Sequence, residues 1–213
     1  MARRLPVYIL ADCSGSMSGS PIESVKSGIR ALHSELMGDP SAIESAYLSV
    51  ISFASTAQQV VALTEVAQFN PPEFQAGGTT AFGEALKLLM QCMDREVQKT
   101  TAEQKGDWKP LVFILTDGVP TDSWQQPADE LKRKKTGNVI AVACGEQADE
   151  AIKTLKSVTD NVLVMKEMTP DSFKQFFKWV SASIAQTSQK IGSGAEPAPV
   201  SLPPPPPMIT IVP

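Results

Sequence analysis

One histidine, three cysteines and no apolar run of membrane-spanning length set the first limits on this chain of 213 residues. The single His33 falls inside a helix-like segment, and neither Ser14 nor Ser16 sits in a G-x-S-x-G frame, so Ser-His-Asp hydrolysis has no evident machinery. His33 therefore reads as a surface or packing residue. Cys13, Cys92 and Cys144 are odd in number, widely spaced and without a C-x-x-C pair. That argues against both a disulfide framework and a thiolate zinc site, and predicts reduced, structural thiols. No stretch approaches the roughly 20 apolar residues that span a bilayer. The N-terminus enters an apparent strand rather than the apolar core of a signal peptide, so the expected location is cytoplasmic. An excess of positive charge is missing as well. A net charge of −4 and a pI near 5.1 give no general electrostatic reason to bind nucleic acid or an anionic membrane. The basic runs Arg3-Arg4 and Lys132-Arg133-Lys134-Lys135 are too short to change that.

What the chain does have is alternation. Apolar runs of strand length lie at 6–11, 46–53, 58–63, 111–116, 139–144 and 162–165, with helix-like segments between most of them. Ser20-Pro21-Ile22-Glu23 has the form of a capping box with proline at the first helical position, and Gly38-Asp39-Pro40 ends that helix. From Thr80 to about Thr100, Ala85, Leu86, Leu89, Met90 and Met93 recur at helical spacing; Thr169-Pro170-Asp171 opens a last helix with Phe173, Phe176, Phe177 and Val180 on one face. Runs 46–53 and 58–63 are joined by four residues and read as a hairpin. The other strands are separated by helices and should be parallel, with 7–11 and 111–115 apolar enough to be covered on both faces. The expected fold is α/β: a doubly wound, mostly parallel central sheet with one antiparallel edge strand and helices on both faces.

Two of those strands end in chemistry. Asp12-Cys13-Ser14-Gly15-Ser16 follows the first, and Asp117 follows the strand 111–116, while Thr79-Thr80 after Gly77-Gly78 opens a helix. In doubly wound sheets ligands bind outside the carboxyl ends of the strands, so these pieces point to one place. Carboxylates with hydroxyls form a hard-oxygen set, suited to Mg²⁺ or Mn²⁺ more than to a soft metal. Each piece alone is ordinary turn material; the three together are not. A Mg²⁺-dependent hydrolase also uses acids at strand ends, yet no D-x-D and no G-x-x-x-x-G-K-[ST] loop is present. Asp122, just before Ser123-Trp124, reads as a helix cap, and Trp108 and Trp124 as partly buried packing residues.

Asp12-Cys13-Ser14-Gly15-Ser16, Gly78-Thr79-Thr80-Ala81-Phe82-Gly83-Glu84-Ala85-Leu86 and Leu115-Thr116-Asp117-Gly118 resemble, in order, the three segments of the metal-ion-dependent adhesion site of von Willebrand factor A domains. The resemblance covers about residues 3–186. It implies that Ser14, Ser16 and Thr80 give hydroxyl oxygens to a divalent ion, with Mn²⁺ or Ca²⁺ as alternatives to Mg²⁺. Asp12 and Asp117 supply charge directly or through water, and Thr80 is preferred to Thr79 by its spacing to Ala85-Leu86. It also implies a protein-protein interaction module rather than an enzyme, whose ion captures an Asp or Glu of a partner. The stretches 106–111, 116–124 and 176–180 look like stand-alone bacterial TerY-like proteins of tellurium resistance. That likeness implies a chemical-stress system with a Ser/Thr kinase and a PP2C-type phosphatase as company. An adaptor for an AAA+ ATPase is the alternative.

Composition changes after Gln189. Residues 1–189 are expected to form the domain, and 190–213, with Pro203 to Pro207 in succession, a flexible proline-rich tail of polyproline II character. Its end, Ile209-Thr210-Ile211-Val212, has the composition to add as a strand to a partner's sheet edge.

Overall fold

The structure is a computed structural model describing residues 3–134, 137–192 and 202–212. Seven strands form one sheet in the order β3-β2-β1-β4-β5-β6-β7. They are β1 (Leu5–Asp12), β2 (Ala46–Phe53), β3 (Ala57–Glu65), β4 (Leu111–Thr116), β5 (Asn138–Cys144), β6 (Val162–Met165) and β7 (Thr210–Ile211). The pairings from β2 through β1, β4 and β5 to β6 are parallel, as the intervening helices require, while β3 and β7 run antiparallel at the two edges. One antiparallel edge was expected from the hairpin; the second is new.

Every residue of β1 and of β4 is buried. Their side chains alternate between two cores because successive residues of a strand point to opposite faces. Val7, Ile9 and Ala11 meet α1 (Ser20–Leu36) and α6 (Pro170–Gly192), whose apolar stripes supply Val25, Ile29 and Leu32 and Phe173, Phe176, Phe177 and Val180. Tyr8 and Leu10 face the layer of α3 (Phe82–Glu96), α4 (Gln125–Lys134) and α5 (Ala148–Val158), through residues such as Leu86, Leu89, Leu131 and Leu155. A short α2 (Pro40–Ser45), capped by the Asp39 carboxylate on the Ala42 N–H, leads into β2. α1 and α6 approach closely at Gly28, where a Cβ would stand 2.0 Å from the Phe177 ring.

Two local expectations are corrected. Ser20 is the first helical residue and caps nothing; the cap position is Gly19, held at φ 82°, a backbone conformation that favours glycine. Glu23 instead pairs with Lys26. The second correction concerns the tail. α6 continues to Gly192, past the boundary expected at Gln189, and residues 202–212 are docked on the domain. The Trp179 indole N–H donates to the Pro203 carbonyl at 2.9 Å, Ile209 is buried, and β7 pairs with β6 through Leu163–Ile211 and Val164–Thr210. The strand-forming end thus adds to this chain's own sheet edge. The physical reason is that β6 leaves a row of backbone groups that extended chain can satisfy. Residues 193–201 and 213 lie outside the described residues.

Candidate metal centre

The carboxyl end of the parallel strands is where the sequence motifs meet. β1 ends on Asp12, and the chain then turns through a single 3₁₀ turn at Gly15–Met17 before Gly19 starts α1. Asp12 is fully buried; its Oδ1 accepts the Ser14 N–H at 2.8 Å and its Oδ2 the Thr116 hydroxyl at 2.5 Å. The Ser14 and Ser16 hydroxyls lie 3.1 Å apart, and Ser16 Oγ donates to Asp117 Oδ1 at 2.8 Å. Ser14, Thr80 and Asp117 are buried (2%, 5% and 6% exposed), whereas Ser16 is open to solvent. The cluster therefore has a buried floor of acids and hydroxyls and an exposed rim at Ser16.

The third segment is held by backbone. Gly15 N–H donates to the Gly78 carbonyl at 3.1 Å and Gly77 N–H to that of Cys13 at 2.9 Å, which ties the loop before α3 to the loop after β1. Thr80 and Thr121 exchange two bonds, Thr80 N–H to Thr121 Oγ1 at 3.1 Å and Thr121 N–H to the Thr80 carbonyl at 2.9 Å. A Cβ on Gly118 would stand 3.2 Å from Thr80 Oγ1, so that hydroxyl lies beside the Asp117 segment. Thr79 is exposed; its N–H is taken by the Ser55 hydroxyl.

Asp122 is a cap, but of a helix distant in sequence. Its two oxygens accept the N–H groups of Gly83 and Glu84, both at 2.9 Å, at the start of α3 rather than of α4. Sequence reasoning passed over Thr116 and Thr121, whose hydroxyls hold Asp12 and Thr80. The available signal was one polar residue, Thr116, closing the otherwise apolar β4.

Burial shows in the acids. Desolvation pushes the Asp12 carboxyl up to about 6 despite the bonds from Thr116 and Ser14, and the nearby Asp117 charge adds to the rise. Asp117 is raised by the same cause, opposed by Ser16. Among the described residues neither acid has an ion pair, and no group of three or more His, Cys, Asp or Glu side chains converges. Cys13 does not join the donors: it is buried, its Sγ lies 3.6 Å from the Ala11 carbonyl, and burial pushes its thiol up to about 12. His33 packs on Phe69 and bonds the Val66 carbonyl through Nε2 at 3.0 Å, as a packing residue does. Trp108 is buried under the Arg3 guanidinium and Trp124 is half-buried.

Two buried carboxylates and neutral hydroxyls at one end of an open α/β sheet form a donor set that fits a hard divalent cation. Such a centre on such a fold defines a class of α/β domain built around its strand-end loops. The von Willebrand factor type A domain model matches residues 7–179, and the chain belongs to that family. A relative, the uncharacterized protein sll0103 of Synechocystis sp., is 35% identical over 123 residues, which make up 54% of this chain and 26% of that protein. Among solved structures, proximal thread matrix protein 1 of the mussel byssus superposes with a TM-score of 0.58 at 19% identity, over 85% of this chain and 48% of that one. One structure of that protein has zinc in its metal-ion-dependent adhesion site motif. The pilus adhesin SpaC of Lactobacillus rhamnosus GG gives a TM-score of 0.66 at 14% identity, over 86% of this chain and 30% of the adhesin. At these identities the structural likeness is one of fold, and the chain spans less than half of each protein.

Proposed function

We propose that this domain is a divalent-cation-dependent protein-binding module, with Asp12, Ser14, Ser16, Thr80 and Asp117 as the ion's protein ligands, directly or through water. The observation that carries the reading is the convergence of three sequence-distant segments on two buried acids that have hydroxyl partners and, among the described residues, no Lys, Arg or His partner. When bound, a divalent ion supplies compensating charge and a position at which an outside carboxylate can replace water. The hydroxyls hold without adding charge, so the centre remains electrophilic. Asp12 and Asp117 bring two negative charges, and Mg²⁺ keeps several waters when given few carboxylates. The hard-oxygen set favours Mg²⁺ or Mn²⁺, with Ca²⁺ as alternative; the zinc in the mussel protein's motif marks zinc as a competitor to be tested.

The role is adhesion-like binding rather than turnover. The one histidine is held in packing, which supports that view. The partner presents an Asp or Glu, and metal and partner then raise each other's affinity by the same factor. On the TerY-like resemblance, that partner belongs to a cytoplasmic tellurite or chemical-stress system containing a kinase and a PP2C-type phosphatase. Affinity capture from native lysate in Mg²⁺ against EDTA, with Asp12→Ala beside wild type, tests the reading. A partner retained by the metal-loaded wild type alone supports it, and a hexameric ATPase among the retained proteins would redirect it to the adaptor role. Equal retention under all conditions overturns it.

A further inference from the structure

The proline run beside α6 has no part in the metal centre. Proline fixes φ and favours polyproline II, an extended helix of three residues per turn, and Pro203 to Pro207 follow one another without a break. The exposure of the run repeats with that period: Pro204 and Pro207 are exposed, while Leu202, Pro203, Pro205, Pro206 and Met208 are half-buried. One face is fixed to the domain, because the Trp179 indole N–H holds the Pro203 carbonyl at 2.9 Å and the Ile209 N–H closes a turn on the Pro206 carbonyl at 2.9 Å. Among the described residues, the Pro204 and Pro205 carbonyls accept no hydrogen bond.

Between the run and α6 lies a cleft of about 480 Å³, with Lys178, Trp179 and Ala182 on its helical wall and Pro203, Pro204 and Pro206 opposite. Residues 202–212 carry no charged side chain, so the charge here is that of α6. Lys174 and Lys178, one helical turn apart at the cleft, are exposed and have no ion pair among the described residues. Asp171 at the same cleft accepts from Gln175 at 2.9 Å. Lys174 also borders a cleft on α1 with Glu23, which is engaged by Lys26. Glu196 lies outside the described residues. Two lysines against one aspartate leave the rim positive, on a chain whose net charge is −4. An extended proline run already held in place loses little freedom when aromatic rings close on it. Its unbonded carbonyls can accept from indole or phenol donors, and the lysines favour acids at the edge of the incoming groove.

We propose that Pro204, Pro205 and Pro207, with Lys174 and Lys178 of α6, form a second protein-binding surface, for a partner whose groove is lined by aromatic side chains and edged by acids. The probes are two forms of one WW domain, a module with an aromatic groove for proline-rich chain, carrying either glutamates or lysines at the groove's rim. Each is titrated into the full ¹⁵N-labelled chain and followed at the Trp179 indole N–H and the Lys174, Lys178 and Ala182 amides. The glutamate form should bind at least about threefold tighter than the lysine form, a difference typical of one or two exposed charge contacts, and equally in Mg²⁺ and in EDTA. Pro204→Ala should weaken it at least about fivefold, as loss of an interface anchor does, with the urea midpoint unchanged because that ring is exposed. Lys174→Glu combined with Lys178→Glu should reverse the preference for rim charge, and this variant carries the test should Pro204→Ala loosen the docked run. Asp12→Ala should bind as wild type does. No shift at the four reporter positions, shifts that require Mg²⁺, or a rim preference that survives the lysine reversal overturns the proposal.

Discussion

The two ends of the parallel sheet treat buried acids in opposite ways. At the amino-terminal end Asp107, with its side chain 2% exposed, is held by two of the Arg4 guanidinium nitrogens (Nε at 2.8 Å, Nη2 at 2.6 Å) and by the Gln98 N–H at 2.8 Å. Glu96 nearby accepts from Tyr8, Gln59 and Arg95. The bond to Asp107 raises the Arg4 pKa, so the guanidinium stays charged. At the carboxyl-terminal end Asp12 and Asp117 are as buried yet have hydroxyls and one backbone N–H in place of guanidinium groups. An acid closed by its own cation is finished structure. An acid buried without one stores electrostatic cost that an outside cation relieves.

Mutating each end should expose that contrast, beginning with the largest effect. Arg4→Met leaves Asp107 buried without its charge partner and should lower unfolding stability by about 3 kcal/mol, as broken buried pairs do. Its Mg²⁺ affinity should be unchanged, which urea unfolding beside calorimetric titration will show. Asp12→Asn should do the reverse: Mg²⁺ affinity drops by at least about tenfold, or ~1.4 kcal/mol, while stability in EDTA at pH 7 equals or exceeds wild type. A variant that loses both together would collapse the distinction between the ends.

The pH dependence has a definite sign. With a folded-state value of about 6 against an ordinary 3.8, Asp12 holds its proton more tightly folded than unfolded. Its stabilising share is therefore complete below about 3.8 and is lost as pH rises to about 6, and Asp117 acts in the same sense. In EDTA the urea midpoint should fall across that window, Asp12→Asn should flatten the decline, and Mg²⁺ should raise the midpoint more at pH 7 than at pH 5. The smallest effect is expected from Asp122→Ala, which uncaps α3: about 1 kcal/mol of stability. A Mg²⁺ affinity weakened a few-fold through Thr80 would accompany it, whereas full retention of affinity would make the cap purely structural.

The sheet, and the meeting of the Asp12, Thr80 and Asp117 segments at its carboxyl end, could be read from the chain because their signals are local. β1 and β4 are unbroken apolar runs with an acid at or just after their ends, and each donor sits a fixed step from a strand or helix boundary. What escaped the sequence is what depends on distant partners. α4 buries only Pro127, Ala128 and Leu131 within a strongly charged segment, too few for a clear stripe. Asp122 has the local form of a cap for the helix that follows it, and only the folded chain shows that the start of α3 is nearer. β7 is two residues long behind a proline run, and its pairing with β6 has no local signature.

That short strand has a consequence for how the molecule behaves among its neighbours. β6 would otherwise present a bare row of amide and carbonyl groups, the template on which foreign strands stack. Through the Pro203 carbonyl on Trp179, the turn closed by the Ile209 N–H on Pro206, and the Val212 N–H on Val162, the chain covers that row itself. Residues 202–212 thus hem the β6 side of the sheet, replacing its open row with a two-residue strand held in place by the chain's own prolines and Trp179.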